Sequence, residues 1–116
     1  MNGFPDGYRA VVLGATGGIG GAVAAALRAD PRCGEVVALG RSTDGLDLTR
    51  EETIAAAAER AGPEVRLLFV ATGALEIGQA GPEKAFRQVE PEAMAAQFAL
   101  NATGPALVFK HFKGLI

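Results

Sequence analysis

Cysteine, histidine and tyrosine each occur once in this chain of 116 residues, as Cys33, His111 and Tyr8, and the first two scarcities are exclusions. A lone cysteine cannot close an internal disulfide. With a single histidine there is no Cys/His cluster to hold a metal, so no metal site is expected and a reducing cytoplasm is the fitting compartment. The net charge is -2 and the 11 Lys and Arg are scattered, which leaves no electrostatic case for a nucleic-acid partner. Nor is there a basic flank followed by a long apolar run. Residues 1–8 read as a loose leader, not a signal peptide or a membrane span, so no membrane partner is expected.

What is present is a globular share of hydrophobic residues, 49%, and a length that argues for one domain over 1–116. The Ala-rich stretches at 24–26 and 55–58 point to helices packed closely on a sheet. Arg9 to Gly14 is short, β-branched and apolar on both faces, as a central parallel strand should be. Ile19, Val23 and Leu27 recur every four residues and predict one apolar stripe on a helix stopping near Asp30-Pro31. Residues 35–39 predict a second strand and Leu46-Asp47-Leu48 a very short third, with 41–45 too brief for a full helix between them.

Thr49-x-x-Glu52 has the pattern of a capping box and opens a helix carrying Ile54, Ala57, Ala58 and Ala61 before Gly62-Pro63. A fourth strand is predicted over 65–71 and a loop with a turn of helix over 72–90. Pro91 then starts a long helix, 91–113, carrying Met94, Phe98, Ala102, Phe109 and Phe112. Strands alternating with helices predict a Rossmann-like, doubly wound α/β fold. It is a three-layer α/β/α sandwich with about four parallel strands in the order 3-2-1-4.

The chemistry is concentrated in Val11-Val12-Leu13-Gly14-Ala15-Thr16-Gly17-Gly18-Ile19-Gly20-Gly21, a buried strand running through a glycine turn into a helix. Glycines stand where the backbone turns tightly and approaches an anion, and the free N–H groups of a helix N-terminus follow. Two spacings overlap, Gly14-x-x-x-Gly18-x-Gly20 and Gly14-x-x-Gly17-x-x-Gly20. Both resemble the short-chain dehydrogenase/reductase superfamily, the first its classical branch and the second its extended or atypical branches. The strict Gly-x-Gly-x-x-Gly fingerprint is absent, and Leu13 stands where the classical family usually has threonine.

Further positions match this family. Gly40-Arg41 stands at the end of the second strand, where an acidic residue would bind a ribose 2′-hydroxyl and an arginine favours a 2′-phosphate; the plain alternative is an exposed arginine at a strand end. Asp47-Leu48-Thr49 resembles the family's Asp-(Val or Leu)-Thr segment beside the adenine, although an ordinary loop aspartate reads the same in isolation. Val70-Ala71-Thr72-Gly73 occupies the place of Asn-Asn-Ala-Gly and keeps only the glycine. The resemblance therefore implies an NADP cofactor, with NAD as the alternative. It would be held by Gly14, Thr16, Gly17, Gly18, Ile19, Gly20, Arg41, Ser42, Asp47, Leu48, Ala71 and Gly73.

Asn101-Ala102-Thr103-Gly104 resembles the family's Asn-(Val or Ala)-x-Gly, whose asparagine belongs to a catalytic tetrad with Ser, Tyr and Lys. Pro105 has no N–H for the Asn101 carbonyl, so a kink is expected in the long helix. The tetrad's Tyr-x-x-x-Lys and its serine have no counterpart, because the only tyrosine, Tyr8, precedes the first strand.

The resemblance covers nearly the whole chain but only the amino-terminal half of a typical member. It implies the cofactor half of an oxidoreductase acting on a carbonyl or alcohol, expected to be inactive as this chain. The alternatives are a stand-alone NADP-binding sensor, or an interaction module without catalysis. Leu67 to Val70 on the fourth strand is an expected unpaired edge, so a homo-oligomer is expected through that edge or through the long helix.

Overall fold

The run that is apolar on both faces becomes the strand flanked on both sides. In the computed structural model, which describes residues 4–72 and 90–115, β1 (Tyr8–Leu13) lies between β2 (Cys33–Leu39) and β3 (Val65–Val70). Both neighbours are parallel to it, giving the order β2-β1-β3. Side chains alternate across a strand, and β1 uses both faces. Val11 and Leu13 pack with Leu39, Ile54, Val108 and Phe112, while Tyr8, Ala10 and Val12 pack with Ala24 and Leu27.

The helices sort accordingly into the two outer layers of an α/β/α Rossmann-like sandwich. α1 (Gly18–Ala29) covers one face; α3 (Glu51–Ala61) and α5 (Gly104–Phe112) cover the other. A single turn, α2 (Arg41–Asp44), follows β2 and ends at Gly45 in the left-handed conformation, φ 68°. Its brevity agrees with the predicted short crossover.

The third predicted strand does not form, so the sheet has three strands among the described residues, not four. Leu46 and Leu48 are both buried in the core with Asp47 between them half exposed. That alternation is the signature of a strand, but here a loop buries the two leucines. The Asp47 amide donates not to a neighbouring strand but to Thr53 Oγ1, at 3.0 Å.

The capping box is also absent. α3 begins at Glu51 behind Arg50, with no side-chain cap. Thr49 instead donates its hydroxyl to Asp47 Oδ1 at 2.6 Å, and Thr53 Oγ1 lies 2.7 Å from the Asp47 carbonyl. The threonines fold the loop back on Asp47, a local competition that Ser, Thr and Asp side chains commonly win against a helix end.

On α1 the buried positions are Gly20, Ala24 and Leu27, whereas Ile19 is 73% exposed. Leu27 and the partly buried Val23 of the predicted stripe do pack on the core, and Gly20 and Ala24 complete a buried face whose small residues let the helix sit close to the sheet. Residues 4–8 of the presumed leader make defined contacts. Tyr8 opens β1, the Phe4 and Tyr8 rings lie 5.0 Å apart, and Arg32 donates to the Phe4 carbonyl and to Asp6, each at 2.7 Å.

The long helix is continuous but changes register. α4 (Pro91–Phe98) passes into a π-helical turn, Ala99–Thr103, then into α5 and a final 3₁₀ turn, Lys113–Leu115. The Gly104 amide reaches back to the Ala99 carbonyl, the wider bonding of a π turn. Pro105 cannot donate to Asn101, and the helix absorbs that gap by widening one turn before it. The inserted residue splits the predicted stripe: Val108 and Phe112 are buried, while Met94, Phe98 and Phe109 are 42%, 60% and 62% exposed. Of the predicted loop 72–90, residues 73–89 lie outside the described residues.

Candidate functional site

The chain leaves β1 to build β2 on one side and later returns to place β3 on the other. The crevice at the carboxyl ends of β1 and β3 is therefore the topological switch point, where open α/β sheets bind ligands. Gly14 stands at that crevice with φ +91°, a left-handed backbone that favours glycine. A Cβ on it would lie 2.5 Å from the Ala71 carbonyl oxygen. Ala71 continues the ladder past β3, its amide donating to the Leu13 carbonyl at 2.8 Å.

Gly20, in the first turn of α1, is equally constrained, since its Cβ would run into the Gly14 carbonyl. These two glycines bring strand and helix into backbone contact. Gly17 and Gly18 are different. A Cβ at Gly17 would make only an ordinary contact at 3.5 Å, and one at Gly18 would meet nothing among the described residues. Packing does not explain these two, and together they leave a bare approach to the start of α1. That start has no side-chain cap and no acidic residue in its first turn, so no carboxylate there offsets the positive end of the helix dipole. A bare, uncapped helix start of this kind suits an anion. Ile19 presents apolar surface beside it.

Thr16 connects the turn to the end of β2, where its Cγ2 and Oγ1 both lie 2.6 Å from where a Gly40 Cβ would be. Arg41 and Ser42 follow Gly40 at once and are exposed. Asp47 is held by Thr49 through both its hydroxyl and its amide, the latter at 2.9 Å. The Thr49 hydroxyl, with the Arg41 and Arg50 charges adding to it, keeps the Asp47 carboxyl below its ordinary range. Leu48 packs against the long helix, where a Gly104 Cβ would fall 2.7 Å from the Leu48 Cβ.

The turn, Arg41, Ser42 and Ala71 thus gather at one end of the sheet, with Asp47 and Leu48 in the loop that follows. Gly73 lies outside the described residues. Asn101 sits on the π turn, one turn before Gly104, and its Nδ2 donates to Gln97 Oε1 at 2.8 Å. With Gln97, Phe98 and Ala102 it lines a shallow apolar hollow of about 230 Å³.

Tyr8 opens the 6-residue β1 and so lies at the opposite end of the sheet from the glycine turn, about 20 Å away along the strand. Its hydroxyl donates to Asp30 Oδ2 at 2.6 Å. That bond, aided by burial, pushes the phenol well above its ordinary value, the wrong direction for a proton donor at neutral pH.

Two residues at this end of the sheet escape a reading of the sequence. Thr72 Oγ1, beside Gly14, is the one buried side-chain oxygen or nitrogen among the described residues without a hydrogen-bond partner. Asp44 accepts from the Gly40 amide at 2.8 Å, a bond that the four-residue spacing on a helical turn could have suggested. Its ion pair with Arg60, 2.9 Å, crosses to another helix and leaves no trace in the linear sequence.

No family model and no curated protein matches the chain. Solved structures do. A small-chain dehydrogenase is 28% identical with a TM-score of 0.78, the match covering 96% of this chain and 55% of that one. A small-chain dehydrogenase in complex with NADPH is also 28% identical, with a TM-score of 0.75 over 96% of this chain and 47% of that one. An NADPH-bound carbonyl reductase from chicken fatty liver shares the fold at 17% identity and a TM-score of 0.61, covering 99% of this chain and 39% of that one. In its strand order, the form of its glycine turn and these likenesses, the chain is similar to the short-chain dehydrogenases/reductases and shares their fold, and it spans about half the length of the solved structures it matches first.

Proposed function

We propose that this chain is the dinucleotide-binding half of a short-chain oxidoreductase acting on a carbonyl or alcohol, and that it takes NADP(H) in preference to NAD(H). The observation that carries the reading is the contrast within the glycine turn. Gly14 and Gly20 are forced by backbone contact, while a Cβ would make only an ordinary contact at Gly17 and none among the described residues at Gly18, at the start of an uncapped helix.

In this reading the amides at the start of α1 hold the pyrophosphate. Thr16, Ile19 and Ala71 border it, Asp47 and Leu48 lie at the adenine, and Arg41 and Ser42 meet the 2′-phosphate. The bound nicotinamide supplies or accepts hydride. Asn101 is the one tetrad position this chain carries, so the chain binds without turning over substrate. It works in a reducing cytoplasm and self-associates through the outer side of β3 or the exposed face of the long helix.

The test is titration with NADPH and NADH, followed by reduced-nicotinamide fluorescence. Saturable binding with the tighter constant for NADPH supports the reading. No saturable signal with either dinucleotide overturns it.

A further inference from the structure

The end of β2 carries more negative charge than its arginine alone can offset. Asp44 lies in the same helical turn as Arg41 and Asp47 three residues beyond it. Asp47 is engaged by Thr49 and feels the Arg41 charge. The carboxylate of Asp44 is pinned at the strand end, with Oδ2 accepting from the Gly40 amide at 2.8 Å and from the Thr43 hydroxyl at 2.6 Å. Its side chain is only 15% exposed, so water screens it poorly.

A fixed, poorly screened anion in the same helical turn as Arg41 opposes a second anion there. What offsets it comes from α3: Arg60 Nη1 meets Asp44 Oδ1 at 2.9 Å. Arg60 lies near the end of α3, outside the glycine turn and the β2 end.

We infer that Arg60 is a positioning residue for cofactor choice, cancelling the charge of Asp44 so that a 2′-phosphorylated dinucleotide is accepted at the end of β2. This rests on the dinucleotide reading proposed above. A 2′-hydroxyl carries no charge, so the non-phosphorylated dinucleotide is indifferent to Arg60, and the effect appears in the ratio of the two affinities. A purely structural role would lower both together.

The experiment is titration of NADPH and NADH into the wild-type chain, Arg60→Gln, Asp44→Asn and the double variant. Arg60→Gln should weaken NADPH at least fivefold and leave NADH within twofold. Adding Asp44→Asn should restore the wild-type ratio within twofold, because no charge is left to cancel. Asp44→Asn alone should bind NADPH at least as tightly as the wild type, which keeps the test decisive if Arg60→Gln fails to fold. An unchanged ratio in Arg60→Gln, a double variant that stays impaired, or an Asp44→Asn chain with weakened NADPH binding overturns the inference while wild-type binding stands. A wild type that binds neither dinucleotide removes the underlying reading as well.

Discussion

The carbonyl oxygen of Gly14 occupies the place that the first side-chain carbon of any other residue at Gly20 would need. Strand and helix therefore meet backbone to backbone, and the turn between them cannot relax without separating α1 from the sheet. Gly20→Ala should cost about 1–3 kcal/mol in urea unfolding. Gly18→Ala should unfold within about 0.5 kcal/mol of wild type, since its methyl meets nothing among the described residues. If phosphates lie against that glycine, the same variant loses NADPH affinity tenfold or more. Equal NADPH affinity in Gly18→Ala and wild type counts against the cradle.

Arg41 is exposed just past the end of β2. Arg41→Ala should leave unfolding unchanged and abolish a tenfold preference for NADPH, about 1.4 kcal/mol. Retention of the preference in paired NADPH and NADH titrations assigns the 2′-phosphate to other residues.

Phe109 and Phe112 sit on the same helix, yet one is 62% exposed and the other wholly buried against the sheet. Phe112→Ala should destabilise the chain by about 3–5 kcal/mol, and Phe109→Ala by no more than about 0.5 kcal/mol. If the exposed face of the helix is where copies meet, Phe109→Ala and Phe98→Ala shift light scattering toward monomer at high concentration. A wild type that stays monomeric there rejects self-association.

Gly104 makes room for Leu48, whose Cβ is 2.7 Å and whose carbonyl oxygen is 3.0 Å from where a Gly104 Cβ would be. Alanine is better than glycine in a helix by about 1 kcal/mol. The overlap should outweigh that gain, so Gly104→Ala lowers the urea midpoint. A raised midpoint would show that the loop at Leu48 yields easily.

One oxygen of Glu51 receives Lys110 Nζ at 2.6 Å and lies 2.8 Å from His111 Nε2, joining α3 to α5. Lys110 first and His111 second hold the Glu51 carboxyl below its ordinary 4.5. A carboxyl lowered in the folded state contributes stability above its unfolded value and loses it as pH falls through the folded one. Stability should therefore fall as the pH is lowered below about 4.5, and less steeply in Glu51→Gln, as read from urea midpoints across the acid range. Parallel slopes for the two chains dismiss the latch.

Much of this molecule is legible in its residues because the signals are local. A run apolar on both faces must be covered on both sides, and glycines between a strand and a helix mark a tight backbone crossing, so β1, the turn and α1 follow from sequence order. Parallel pairing with alternating helices then limits the strand order to a few arrangements. Other features depend on partners distant in the chain. The pattern Leu46-Asp47-Leu48 suits a strand or a loop over a core equally well, and the lack of a neighbouring ladder decided for the loop. The proline at 105 foretells a disturbed helix, but whether it kinks or widens, and hence which phenylalanines are buried, depends on how α5 packs against the sheet and Leu48. The charge at the end of β2 is likewise set by Arg60, reaching across from α3. Sequence alone determined the strand–turn–helix and its glycines, through steric rules acting over a few residues; tertiary structure decided which glycines are crowded, which face of the long helix is buried and what neutralises Asp44, because each depends on atoms brought together only by packing.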